Sequence, residues 1–291
     1  MPEARAGRAS GATRAEALEA ATEAFRAAGI PEPRIDAEVL LSGVSGVGRA
    51  ELVALPGERL DPASSRAFGE AVRRRLRREP VAYVLGRRGF RRIELEVDPR
   101  VLIPRPESED LVEFALEVGP TRVLEIGTGS GAVALAIADE IPDCRIVATD
   151  LSAEALEVAR GNAARLGFGD RVSFLEGTWP SDGGRFDLLV ANLPYVDRER
   201  EGPDLAPEVA DWEPEIALYG GGGGTEVIAS VLAALPASGV VVDRLALEVG
   251  QGQAGPVADL VREAGFSAVE VRPDLAGIER VVVGRETSGP A

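Results

Sequence analysis

The sequence predicts an α/β protein in which a doubly wound, mostly parallel sheet of seven strands follows a small helical domain. Three observations carry this. From Thr121 onward, short apolar runs of strand length alternate with amphipathic stretches of helix length, the pattern that parallel βαβ units leave in a sequence. Before Val81 only helical periodicity is convincing. Between the first apolar run and the helix after it lies Gly127-Thr128-Gly129-Ser130-Gly131, a turn at a strand's carboxyl end, where sheets of this class bind ligands.

The elements follow in order. Residues 1–13, rich in Ala, Gly, Arg and Ser, are expected to be disordered. Leu18, Ala21, Thr22 and Phe25 share one helix face, and Gly29 stops that helix. A second helix is expected over 35–41. A third is expected over 61–78, with Asp61 as its cap, Pro62 in its first turn and Phe68, Val72 and Leu76 as its apolar stripe. These make a helical domain over residues 1–85. Residues 86–105 read as an extended or hairpin linker, since Ile93, Leu95 and Val97 alternate as in a half-buried strand. Pro104-Arg105-Pro106-Glu107-Ser108-Glu109 opens a helix through Leu116 and is read as the hinge between domains. The second domain is expected over 106–287. Its strands are expected at 123–126, 145–149, 172–175, 186–190, 245–249, 268–271 and 280–283, with helices at 132–138, 153–166 and 255–264.

Composition narrows the chemistry. With 45% hydrophobic residues in 291, the chain can bury a large core, and only 4% aromatics make that core mainly aliphatic. There is no histidine, so imidazole catalysis and His-metal sites are excluded, and no metal site is expected. The single cysteine, Cys144, allows no internal disulfide and no Cys-cluster zinc site. No apolar run is long enough for a membrane span and no signal-peptide pattern opens the chain, so a cytoplasmic location is expected. The net charge of −16 argues against broad phosphate-backbone binding. The Arg-rich stretches 73–78 and 87–92 are read as a solvated helix face and loop, or else as a patch for an acidic partner.

Asn192-Leu193-Pro194-Tyr195 follows the apolar run ending at Val190. Asn192 offers a side-chain carbonyl. Pro194 lacks an N–H and restrains Leu193 to an extended backbone, fixing the direction of the Leu193 carbonyl. Tyr195 adds a flat ring. A planar group bearing –NH2 could donate to both carbonyls and stack on the ring. The same four residues also suit an ordinary turn. Two further features converge on the same end of the sheet. The glycines of 127–131 let backbone approach a ligand closely. Asp150, ending the second strand, suits vicinal ribose hydroxyls. The spacing G-x-G-x-G is not the dinucleotide fingerprint, and no Gly-Lys-Ser/Thr follows it, so a P-loop is excluded. The tract 220–224 reads as a flexible loop at the site rim.

The order Glu125-x-Gly127-x-Gly129-x-Gly131, then Asp150, then Asn192-x-Pro194-Tyr195 resembles class I S-adenosylmethionine-dependent methyltransferases that act on exocyclic or amide nitrogens. Three stretches narrow the resemblance to the release-factor glutamine N5-methyltransferase (PrmC/HemK) family: Glu79-Pro80-Val81-Ala82-Tyr83-Val84-Leu85-Gly86, Leu102-Ile103-Pro104-Arg105-Pro106-Glu107-Ser108-Glu109, and Asp274-Leu275-Ala276-Gly277-Ile278-Glu279-Arg280. The resemblance implies a Rossmann-like methyltransferase fold, with S-adenosylmethionine held by Gly127, Thr128, Gly129, Ser130, Gly131, Asp150 and Asn192, and Trp179 beside the adenine. It implies that Asn192, Leu193, Pro194 and Tyr195 bind the substrate amide, with Asn192, Pro194 and Tyr195 as the catalytic residues. The implied substrate is the glutamine of the Gly-Gly-Gln motif in class I peptide chain release factors, and the helical domain is implied to recognise that substrate. The family usually has Pro where this chain has Leu193, and Asn-Leu-Pro-Tyr is closer to the form of ribosomal RNA adenine dimethyltransferases. The alternatives are an adenine-N6 methyltransferase acting on RNA or DNA, and a cofactor-binding scaffold without catalysis. Nucleic acid is not the expected substrate, and a monomer is expected.

Overall fold

In the computed structural model, which describes residues 11–286, the chain divides into two compact units, one ending at Gly86 and the other starting at Arg87. Among the described residues, the elements of the first unit are helices: α1 (Arg14–Ala27), α2 (Pro33–Ser45), α3 (Arg49–Ala54), α4 (Pro62–Leu76) and α5 (Val81–Leu85). Residues 1–10 of the expected disordered segment lie outside the described residues. Thr13 does not fit that expectation. Its hydroxyl accepts from the Glu16 N–H at 3.2 Å while the Glu16 carboxylate accepts from the Thr13 N–H at 2.8 Å. This capping box satisfies two otherwise unpaired donors and fixes the start of α1. Asp61 caps α4 as expected, accepting from Ala63 and Ser64. Leu18, Phe25, Leu40, Leu41, Leu52 and Phe68 fill the core between these helices. Helix α2 outruns its expected span because Pro33 starts it and Gly46, in left-handed conformation, ends it.

The second unit opens with a hairpin of β1 (Arg87–Phe90) and β2 (Ile93–Glu96). A turn of 3₁₀ helix, Pro106–Ser108, leads into α6 (Glu109–Val118), so the expected hinge residues 104–109 lie inside this unit. Alternation then begins: β3 (Arg122–Ile126), α7 (Ala132–Glu140), β4 (Arg145–Asp150), α8 (Ala153–Leu166), β5 (Val172–Glu176), β6 (Gly184–Phe186) and β7 (Leu188–Ala191). After an irregular stretch carrying the short α9 (Pro207–Ala210) come α10 (Glu226–Ala234), β8 (Val240–Val242), β9 (Arg244–Glu248), α11 (Ala254–Glu263), β10 (Ala268–Pro273) and β11 (Glu279–Arg285). Seven strands form one sheet in the order β10-β11-β9-β7-β3-β4-β5. It is parallel except at β11, which runs antiparallel to β9 and β10. All seven coincide with the strands expected from the sequence, whereas α10 and the short β6–β8 pair were not foreseen.

The central strands are the apolar ones. Every residue of β7, and every residue of β3 and β9 after the first, is buried, as a strand covered on both faces requires. The core joins Leu124, Leu189, Leu245 and Leu247 of these strands to Ile228 and Leu232 of α10 and to Val257 and Val261 of α11. The order of strands reverses between β3 and β7. The loops that leave these two strands therefore diverge and open a crevice at their carboxyl ends.

Candidate active site

Three adjacent strand ends build the site. After β3, Gly127 has φ 75°, a conformation that side chains disfavour, and a Cβ there would sit 3.2 Å from the Leu193 side chain. The N–H groups of Gly127 and Thr128 donate to the Thr149 carbonyl at 2.8 and 3.0 Å, fastening the turn to β4. Asp150, the last residue of β4, accepts from the Gly129 N–H at 2.8 Å and from the Ser152 N–H at 2.9 Å. Each of its oxygens keeps a further lone pair. Burial raises its pKa, and hydrogen bonds from the backbone of Ser152, Gly129 and Leu151 oppose that rise. Glu125 lies beneath the turn and accepts from the Thr128 hydroxyl at 2.6 Å. Burial pushes its pKa up to about 8.

A cavity of about 250 Å³ lies above these strand ends. Gly127, Gly129, Asp150, Asn192, Ile216 and Tyr219 are among the residues that line it. A smaller recess of about 50 Å³ reaches Glu125, Thr128 and Ser130. A third, of about 210 Å³, is bounded by Arg105, Tyr195, Val196, Leu205 and Val209. Asn192 lines all three. Of the sequence-expected residues, Gly127, Gly129, Asp150, Asn192, Leu193 and Pro194 line the first cavity, Thr128 and Ser130 the second, and Tyr195 the third, whereas Gly131 lines none of them. Gly131 stands at the start of α7, and the Ser130 carbonyl accepts from Asn162. Leu193 turns its side chain into the core, 5% exposed, so its difference from proline falls on a buried side chain. Trp179 lines none of the three cavities. It is half-buried against the apolar core, and its indole N–H has no hydrogen-bond partner among the described residues. Thr178, one residue earlier, lines the first cavity. At the opposite end of the sheet a larger cavity of about 560 Å³ is lined by charged groups such as Arg185, Asp187 and Asp243, and holds none of the expected site residues.

Several residues behind the site were not singled out from the sequence. Glu213 has a side chain only 1% exposed, yet it accepts from Arg105 at 2.6 Å and from the Ile103 N–H at 3.2 Å. Burial raises its pKa and Arg105 opposes the rise. This pair fastens the stretch carrying Ile216 and Tyr219. Arg105→Ala should cost about 3 kcal/mol, because a buried carboxylate loses its partner. The urea midpoint checks this, and adding Glu213→Gln should recover part of the loss. An unchanged midpoint would show that the pair is structurally idle.

The glycine tract 220–224 is packed against the Asn-Leu-Pro-Tyr backbone. A Cβ at Gly224 (φ 76°) would lie 2.2 Å from the Tyr195 carbonyl oxygen and 2.5 Å from the Gln253 amide, which itself donates to that carbonyl at 2.8 Å. Only glycine lets the two segments approach so closely. Gly224→Ala should lower Tm by about 5 °C through overpacking and backbone strain, and should reduce activity with it. An unchanged melting curve would mean the contact is loose. Pairwise proximity of this kind leaves no mark in the sequence.

Residues 16–86 match the family model of the PrmC N-terminal domain, and residues 123–209 match a methyltransferase domain. A release factor glutamine methyltransferase of Caulobacter vibrioides is 38% identical over 282 residues, covering 94% of this chain and 96% of that protein. One from Neisseria gonorrhoeae is 41% identical, covering 87% of this chain and 93% of its own. This chain belongs to the release factor glutamine methyltransferase family. It is therefore a methyltransferase, and S-adenosylmethionine is the methyl donor expected of it. Among solved structures, the catalytic domain of human Mettl16 in complex with an RNA hairpin superposes with a TM-score of 0.54 at 14% identity, over 67% of this chain and 76% of its own. A methyltransferase from Pyrococcus furiosus gives 0.50 at 20%, over 66% and 88%. At these identities the likeness establishes the methyltransferase fold alone.

Proposed function

We propose that this release factor glutamine methyltransferase family member transfers a methyl group from S-adenosylmethionine to the side-chain amide nitrogen (N5) of the glutamine in the Gly-Gly-Gln motif of class I peptide chain release factors. The observation that carries this is the position of Asn192 where three cavities meet. The residues present fit the cofactor. Asp150 retains acceptor lone pairs for ribose hydroxyls, Gly127 and Gly129 leave the crevice clear of side chains, and Leu151 and Ile216 offer apolar surface beside Asp150 in the same cavity. The small recess at Thr128 and Ser130 and the acid Glu125 complete a polar end. S-Adenosylmethionine, when bound, supplies an electrophilic methyl group.

The protein's own task is then alignment. An amide nitrogen is a weak nucleophile, since its lone pair is delocalised into the carbonyl. Asn192 Oδ1 and the Leu193 carbonyl accept the two amide N–H hydrogens, with Pro194 fixing the backbone and Tyr195 flanking the amide plane. Such fixed acceptors favour positive charge developing on the nitrogen. Holding it in one place supplies much of the ~7–11 kcal/mol available from positioning. The helical unit recognises the release factor, and the enzyme works in the cytoplasm as a monomer. Among the described residues no helix is long and apolar enough to cross a membrane.

The adenine-N6 alternative shares the clamp but is not favoured. The relatives that span this chain are named for release factors, and several arginines of the two clusters are committed to ion pairs within the fold. Arg74 binds Glu79 at 2.8 Å, Arg75 binds Asp36 at 2.7 Å, and Arg91 binds Glu140 at 2.7 Å; the Arg75 and Arg91 side chains are only 6% and 15% exposed, so these arginines are fixed within the fold and do not stand on the solvated face expected from the sequence. Labelled S-adenosylmethionine offered to a mixture of release factor, ribosomal RNA and duplex DNA tests the choice. Label should enter the protein fraction. Label in nucleic acid with none in protein overturns the proposal.

A further inference from the structure

Behind Asn192 three polar side chains form a continuous hydrogen-bonded chain that the clamp itself does not require. Glu248 ends β9, the strand beside β7, and is 1% exposed. Its carboxylate accepts from the Ser108 hydroxyl at 2.7 Å and from the Tyr195 hydroxyl at 3.3 Å. Ser108 Oγ in turn accepts from Asn192 Nδ2 at 2.9 Å.

The directions of these bonds depend on one another. An ionised carboxylate can only accept, so both hydroxyls must donate to it. Ser108 has one proton. With that proton committed to Glu248, Ser108 can only accept from Asn192, and the Asn192 NH2 must face it. The Asn192 carbonyl oxygen is then the atom turned away from Ser108. A protonated Glu248 permits the reverse. Its O–H donates to Ser108, Ser108 donates to Asn192 Oδ1, and the amide turns its NH2 toward the substrate, where two sets of N–H donors meet. We infer that Glu248, acting through Ser108, is the positioning residue that keeps the Asn192 carbonyl oxygen turned toward the substrate amide. This rests on the proposed glutamine reading for the substrate but not for the relay itself.

Burial pushes the Glu248 carboxyl up to about 7. The Ser108 and Tyr195 hydrogen bonds and Arg280 pull it down, and Glu107 pushes it further up. Arg105 also faces Tyr195, whose hydroxyl burial pushes upward. Protonation of Glu248 as the pH falls through about 7 should therefore turn the relay off, leaving an acid limb in the turnover profile.

The chain contains only two asparagines, Asn162 and Asn192. The full-length protein labelled with ¹⁵N-asparagine thus gives two side-chain NH2 signals, assigned by the loss of one in Asn192→Asp. Asn162, tied to the carbonyls of Glu96 and Ser130, is an internal control. The Asn192 signal should titrate with an inflection near pH 7 in the unmodified protein and lose it in Glu248→Gln, while Asn162 stays flat. On release factor, Glu248→Leu should lower kcat by about 30-fold, with KM for S-adenosylmethionine within about threefold, and Glu248→Gln, whose amide oxygen can still accept from Ser108, should lose the acid limb. Ser108→Ala should behave like Glu248→Leu, and Ser108→Thr should restore activity. A flat Asn192 signal in the unmodified protein, or an acid limb that survives in Glu248→Gln, overturns the inference. If the unmodified protein leaves release factor unlabelled while Asn192 still titrates, the substrate reading falls and the relay stands.

Discussion

Asn192→Ala should reduce methyl transfer at saturating S-adenosylmethionine by about 10³-fold, because one fixed hydrogen-bond partner at the reacting group is worth about 10²–10³ in turnover and the nitrogen also loses its alignment. Cofactor affinity should change little. Asn192 lines the cavity proposed for the cofactor, but Gly127, Gly129 and Asp150 on the other strand ends remain in place. Its removal leaves Ser108 without the amide that donates to it, while the Ser108 hydroxyl still donates to Glu248. The network therefore survives truncation, and a thermal melt should show a small shift only. Equal loss of turnover and cofactor binding, or a large drop in Tm, would make Asn192 a structural residue.

Asp150→Ala should act on the other term. Two hydrogen bonds from ribose hydroxyls to a carboxylate are worth about 1.5–3 kcal/mol each, so the cofactor Kd should rise by about 100-fold or more. Asp150 also ties the Gly129 N–H to the Ser152 N–H, so part of the loss comes from a loosened turn. Asp150→Asn separates the contributions, since its carbonyl oxygen can still accept from one of the two N–H groups while the negative charge is gone. Calorimetric titration with S-adenosylmethionine reads both variants. Unchanged affinity in Asp150→Ala would remove the ribose assignment, whatever the effect on turnover.

The sheet was legible because its strands are apolar runs of the right length broken by turn residues, and because both faces are covered. The strand ends were legible for the same reason. Asp150 and Asn192 are polar residues placed where an apolar run stops. Glu248 carries that signal too, ending Leu245-Ala246-Leu247, yet nothing local distinguishes it from a solvated residue at a strand terminus. Its meaning depends on β9 lying beside β7, and strand order comes from long-range pairing. Ser108 read as part of a helix start for a similar reason, since its partners are 84 and 140 residues away. The tract 220–224 read as flexible because glycine permits both freedom and close approach. Only the neighbouring Pro194 and Tyr195 backbone shows which applies. Helix α10 was missed because its mostly apolar composition gives little amphipathic contrast, as both α11 and the sheet pack around it.

The most direct test is methyl transfer from labelled S-adenosylmethionine to a purified class I release factor, with a Gln→Ala variant of its Gly-Gly-Gln motif alongside. Label on the native factor that is absent from the variant is the predicted result, and it fixes reaction, substrate and target residue together. Equal labelling of both factors would place the methyl group elsewhere, and no labelling of either would contradict the assignment of Asn192 as the glutamine clamp.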